Sequence, residues 1–207
     1  IKAETGKSID IGIEKFFPEN NFNLSATTFF LKYKNDIKGW ASNTGGIGEK
    51  YYSGGGSYAL NNTNSKTESY GLELQTNWKP NDNYALGFGY TRTESYDGTT
   101  CDNPGSTGGP GSAACNDEMN VRVPKNAVST TIIKNFNPDF IGTLQFKYIG
   151  ERRDYGGSDN GFNQVILDDY SLLNLYANYN LKNDYQFNFS LKNLLDEKYN
   201  EALNYST

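Results

Sequence analysis

The sequence predicts an all-β fold: an antiparallel transmembrane β-barrel pattern of about eight strands. Three observations predict it. Eight stretches alternate apolar and polar side chains with period two. Their connections alternate between short turns, at 17–21, 79–83, 137–139 and 182–184, and long loops, at about 41–64, 97–120 and 152–168. Aromatic residues bracket each short turn. A soluble antiparallel sheet has no reason to gather its long loops at one end, whereas a barrel threaded through an outer membrane turns tightly on the periplasmic side and loops widely outside.

The strands follow in order. The first sets Ile9, Ile11 and Ile13 against Ser8, Asp10, Gly12 and Glu14. The second sets Phe22, Leu24, Ala26, Thr28 and Phe30 against Asn23, Ser25 and Thr27. Tyr70, Leu72, Leu74, Thr76 and Trp78 oppose Gly71, Glu73, Gln75 and Asn77 in the third. Tyr84, Leu86, Phe88 and Tyr90 carry the fourth. The fifth, over about 121–136, is the least regular, because Ile133 interrupts the face of Val128, Thr130 and Ile132. Phe140, Leu144, Phe146 and Tyr148 mark the sixth, Leu173, Leu175, Ala177, Tyr179 and Leu181 the seventh, and Tyr185, Phe187, Phe189 and Leu191 the eighth. Alternation serves a β-sandwich equally well. The rings favour the barrel: Phe16, Phe17 and Phe22, then Trp78 and Tyr84, Phe136 and Phe140, Tyr179 and Tyr185 would form one girdle at a membrane interface. Tyr33, Trp40, Tyr90, Tyr96, Tyr148 and Tyr170 would form the second.

Composition narrows the function classes. No stretch approaches the ~20 apolar residues of a membrane helix. A net charge of −5 without a basic run argues against a nucleic-acid partner. Histidine is absent, which removes Ser-His and Cys-His catalysis and most zinc sites. No catalytic constellation or cofactor motif stands out, so neither enzyme chemistry nor a cofactor is expected. Cys101 and Cys115 share one Gly/Pro-rich loop. A local disulfide is the preferred reading, two free thiols or a metal pair the alternatives. The chain opens in mid-pattern at Ile1, as an internal or processed segment would.

Several motifs carry a resemblance. Residues 1–14 (IKAETGKSIDIGIE), 71–73 (GLE), 122–125 (RVPK) and 148–152 (YIGER) resemble, in that order, recurring strand motifs of TonB-dependent outer-membrane receptors. Residues 192–199 (KNLLDEKY) resemble that family's motif before the last extracellular loop, with Leu195 where Phe is usual. Residues 201–207 are similar to the cobalamin-receptor branch. The resemblance implies a barrel of roughly 22 strands, of which these would be approximately the fourteenth to the twenty-first. The plug, the N-terminal TonB-contacting segment and the last strand would lie outside residues 1–207.

It also implies a place in the outer membrane of a Gram-negative bacterium, among lipid and lipopolysaccharide. The implied function is TonB-coupled uptake of a scarce nutrient, a cobalamin or a ferric siderophore. Ligand-contact candidates are Tyr51, Tyr52 and Tyr58, rigid rings among glycines 54–56, together with Arg152, Arg153 and Tyr155. For the two arginines, rim charges facing lipopolysaccharide or solvent are the preferred reading over ligand contacts. Asn193, Leu194, Asp196 and Tyr199 are expected to shape a strand-to-loop exit, and Asp10, Glu14, Glu73 and Lys147 to solvate the barrel interior. A passive porin-like channel and a soluble extracellular β-sandwich or adhesin are the competing readings.

Overall fold

The computed structural model describes residues 2–35, 37–42, 50–51, 57–62, 66–97, 118–155, 164–182 and 185–203. Eight long strands run antiparallel: β1 (Thr5–Phe17), β2 (Phe22–Lys34), β6 (Lys66–Asn81), β7 (Tyr84–Asp97), β9 (Asn126–Asn137), β10 (Phe140–Ile149), β13 (Tyr170–Leu181) and β14 (Tyr185–Leu191). They pair in the order β1-β2-β6-β7-β9-β10-β13-β14, with β8 (Glu118–Met119) joined to β7. Each strand therefore lies beside its sequence neighbour among the eight. The long connections hold structure of their own. β3 (Ile37–Ser42), β5 (Ser57–Asn62) and β4 (Lys50–Tyr51) make a three-stranded sheet, and β11 (Arg152–Tyr155) pairs with β12 (Gln164–Leu167).

The tight turns are built by their Asn, Asp and Pro residues. Pro18 opens a single 3-10 turn that Asn21 closes in the left-handed region at φ 46, donating its N–H to the Pro18 carbonyl at 3.2 Å. The side chains of Asn81 and Asn137 accept from the backbone N–H two residues on, each at 2.9 Å. A turn carbonyl also accepts from the next hairpin: Asn21 from Lys79 N–H, Asn83 from Asn135 N–H and Asp139 from Asn180 N–H. The turns thus form one continuous lower edge.

Register determines the faces. One row runs Phe22, Trp78, Leu86, Ile132, Leu144, Leu175, Leu191 across seven strands. Phe22 stands at the turn, whereas Leu191 is six residues beyond Tyr185, where β14 begins. The row climbs by about one residue per strand, the stagger that tilts strands in a barrel wall. The other face carries the row Asn23, Asn77, Gly87, Thr131, Gln145, Asn174.

The apolar face is a surface and not a core. Ile13 is 73% exposed and Phe187 56%, and among the described residues only Leu167 and Tyr170 are buried hydrophobics. In a water-soluble sandwich such a face would be covered.

Its lower margin is aromatic. Phe17 and Phe22 rings lie 5.8 Å apart, Phe136 and Phe140 are stacked at 4.9 Å, and Phe140 meets Tyr179 edge-on at 6.3 Å. Lys134 lies over Tyr84 and Phe136, and Lys15 over Phe17. Strand parity corrects part of the expected girdles. Phe16, Tyr33 and Tyr170 fall on the polar face, because they sit an odd number of residues from the apolar positions of their strands. Tyr90, Tyr96 and Tyr148 keep to the apolar face; Tyr96 packs on Tyr70 at 6.2 Å. The side chain of Trp40 lies outside the described residues. The fifth long strand begins at Asn126 and not at 121, since Arg122 takes φ 65, which no strand accommodates.

Candidate functional site

The polar face is the first half of the site. Asp10, Glu14 and Glu73 stand on it in β1 and β6, and Lys147 in β10. Glu14 accepts from the Asn23 side-chain amide at 2.7 Å. Between β10, β13 and β14 a recess of about 530 Å³ is lined by Thr143, Gln145, Tyr176, Asn178, Asn188 and Lys192. Hydroxyl and amide groups dominate, so the wall offers hydrogen bonds in both directions and little charge.

The second half is a clasp at the upper rim, where the segment after β14 folds onto β11–β13. Asn193 begins it in the left-handed region at φ 55. Its backbone N–H donates to Asn174 Oδ1 at 2.9 Å, while Leu194 N–H reaches the Leu173 carbonyl at 2.8 Å, continuing the β13–β14 pairing. The Asn193 side chain then brackets the turn: its Nδ2 donates to the Glu197 carbonyl and its Oδ1 accepts from the Glu197 N–H, each at 3.0 Å. Asp196, at φ 51, donates its N–H to the Asn193 carbonyl at 3.0 Å. Asn suits this position because its short amide bonds locally and tolerates the left-handed conformation. Leu194 remains exposed.

Tyr199 stacks on Tyr170 at 4.3 Å, and the Arg152 guanidinium covers the other ring at 5.2 Å from the Tyr170 centroid. Arg152 is 6% exposed and donates to the carbonyls of Asp168, Asn200 and Glu201. Asp154 is fully buried; it accepts from Arg122 Nε at 2.9 Å and from the Leu203 N–H at 2.6 Å. Arg122 donates its own N–H to the Arg153 carbonyl at 2.6 Å.

Arg152, expected as a ligand contact or a solvated rim charge, is therefore a buried strut that holds residues 200–201. Its neighbour Arg153 stands opposite Ile166, a largely exposed residue, and Tyr155 opposite Gln164. Tyr51 and Tyr58 occupy β4 and β5, where Lys50 pairs with Tyr58 and Tyr51 with Ser57, which brings the two tyrosine positions together. Tyr52, Cys101 and Cys115 lie outside the described residues. Asp154 and its pairing with Arg122 had no local signal, since the two are 32 residues apart. Among the described residues no group of three or more His, Cys, Asp and Glu is placed to hold a metal.

The family described as "TonB dependent receptor-like, beta-barrel" matches residues 1–194. Among solved structures, the chain is similar to the ferric-catecholate import receptor Fiu from E. coli K12, with TM-score 0.66, 16% identity, and coverage of 98% of this chain and 25% of that one. It is similar to the FrpB iron transporter from Neisseria meningitidis, with TM-score 0.67, 16% identity, and coverage of 96% and 28%. The pyoverdine receptor FpvA from Pseudomonas aeruginosa gives TM-score 0.68, 16% identity, and coverage of 97% and 27%. At such identity the likeness is one of fold, and the chain spans about a quarter of each. No curated protein sequence matches.

Proposed function

The chain belongs to the TonB-dependent receptor-like β-barrel family, outer-membrane proteins of Gram-negative bacteria, and from that membership we propose that it forms one side of an energised nutrient receptor. In this reading the apolar face meets lipid, the polar face lines the lumen against a plug, and the strand-bearing loops lie outside the cell. The observation that carries it is the two-faced wall. From Phe22 to Phe30 the apolar positions of β2 span eight residues before Lys32 interrupts them. At ~3.3 Å per residue and ~40° tilt this is about 20 Å along the barrel axis, close to the ~25 Å apolar band of outer-membrane barrels.

A ferric siderophore is the preferred cargo over a cobalamin, because the similar structures are named as iron and ferric-siderophore receptors. Tyr51, Tyr52, Tyr58, Arg153 and Tyr155 are the loop positions proposed to meet it, and Cys101 and Cys115 are proposed to close their loop. The complete receptor, expressed in cells lacking other iron receptors, should accumulate radiolabelled iron from a ferric siderophore only when TonB is present. Accumulation without TonB would support a passive channel instead. Labelled cobalamin entering in place of iron would reassign the cargo.

A further inference from the structure

We propose that the apolar wall ends, on the loop side, in a binding site for the phosphate of a lipid headgroup in the outer leaflet, formed by Lys7, Lys32 and Lys34; this rests on the outer-membrane reading above. Register puts all three on the apolar face. Lys7 is paired directly with Lys32, and Lys34 lies two residues further along β2, opposite Thr5. The row below is Ile9, Phe30 and Tyr70, the last fully apolar or aromatic row across β1, β2 and β6. Lys7 and Lys32 therefore sit one row above the edge of the band and Lys34 two rows above it, where headgroups begin.

Two ammonium groups directly opposite on one face of a sheet repel each other. Diagonal neighbours stand only ~7–8 Å apart, so all three long side chains reach one phosphate. Lys32 already pairs with Glu68, which steadies the middle of the cluster. Lys7 and Lys34 are exposed and make no ion pair among the described residues. The lower margin differs. There Lys15 and Lys134 are laid over the rings of Phe17, Tyr84 and Phe136, so their charge is met by aromatic faces. A phosphate carries several acceptor oxygens and up to two charges. It neutralises the upper cluster without burying any of it.

Native mass spectrometry of the purified complete receptor tests this with three probes: bis-phosphorylated lipid A, dephosphorylated lipid A and inorganic phosphate. Phosphorylated lipid A should be retained. Lys7→Gln with Lys34→Gln should weaken retention about tenfold, Lys7→Arg with Lys34→Arg should restore it, and Lys15→Gln should leave it unchanged. Equal retention of dephosphorylated lipid A, no effect of the Gln pair, or displacement by equimolar inorganic phosphate would each overturn the assignment. A receptor that inserts into bilayers but shows one of those results overturns this site alone. One that does not insert overturns the membrane reading with it.

Discussion

Replacing Gly71 by alanine should destabilise the wall strongly. A Cβ at Gly71 would lie 2.0 Å from the Arg92 carbonyl oxygen of β7 and 2.7 Å from Cζ of Phe29, which lies over it from β2. The first obstacle is backbone, so it cannot rotate away. The β6–β7 ladder, which runs from Thr67↔Asp97 to Asn81↔Tyr84, has to part locally. The Gly71 carbonyl would also shift from Thr28 Oγ1, which donates to it at 3.0 Å. Overpacking of this kind costs about 3 kcal/mol. Gly87 on β7 is the control, because a Cβ there meets only Asn77 Oδ1, at 3.6 Å. Urea titration of the folded barrel, read by its heat-modifiable gel mobility, should place Gly71→Ala well below wild type and Gly87→Ala within about 0.5 kcal/mol of it. Equal midpoints for the two variants would contradict the close approach.

The second large effect is expected at the rim clasp. Asp154→Ala removes a fully buried carboxylate and leaves the Leu203 N–H and Arg122 Nε without that acceptor. Breaking a buried ion pair costs about 3–5 kcal/mol. The Arg122 side chain is 38% exposed and regains water, so about 2 kcal/mol is the better figure. The loss should be local. Residues 193–203 are tied down by Asn193, by the stack of Tyr199 on Tyr170, by Arg152 and by Asp154, and the last two anchor its far end. Trypsin cleavage after the exposed Lys198 should accelerate roughly tenfold or more in Asp154→Ala and likewise in Arg152→Ala. The urea midpoint of the barrel should barely move. A large drop in that midpoint with unchanged cleavage would mean that the clasp supports the wall and not the rim.

Much of the wall was legible because a strand states its faces in its own sequence. Leu72, Leu74 and Trp78 against Glu73, Gln75 and Asn77 need no partner to be read. The girdle errors at Phe16, Tyr33 and Tyr170 came from placing rings by their distance from a turn without keeping parity, a signal the sequence did contain. The early end assigned to the fifth strand reflects a left-handed residue, Arg122, that apolar patterning does not report. Strands β4, β5, β11 and β12 were read as loop because they are short and pair outside the main sheet. The far end of the clasp was not legible. Arg152 meets Asn200 and Glu201, and Asp154 meets Leu203, across gaps of 48 and 49 residues. A pair of charged residues at the end of a strand reads as solvated until the segment that buries them is in place. The Asn193 turn, by contrast, closes within five residues, and its motif was visible.

The most direct test of the two-faced wall is the collision accessibility of spin labels placed one at a time at Leu72, Glu73, Leu74 and Gln75, with the complete receptor in lipid bilayers. The assignment of one face to lipid predicts high accessibility to dissolved oxygen at Leu72 and Leu74 and low accessibility at Glu73 and Gln75. Oxygen accessibility that fails to alternate along these four positions, or that peaks at Glu73 and Gln75, would contradict it.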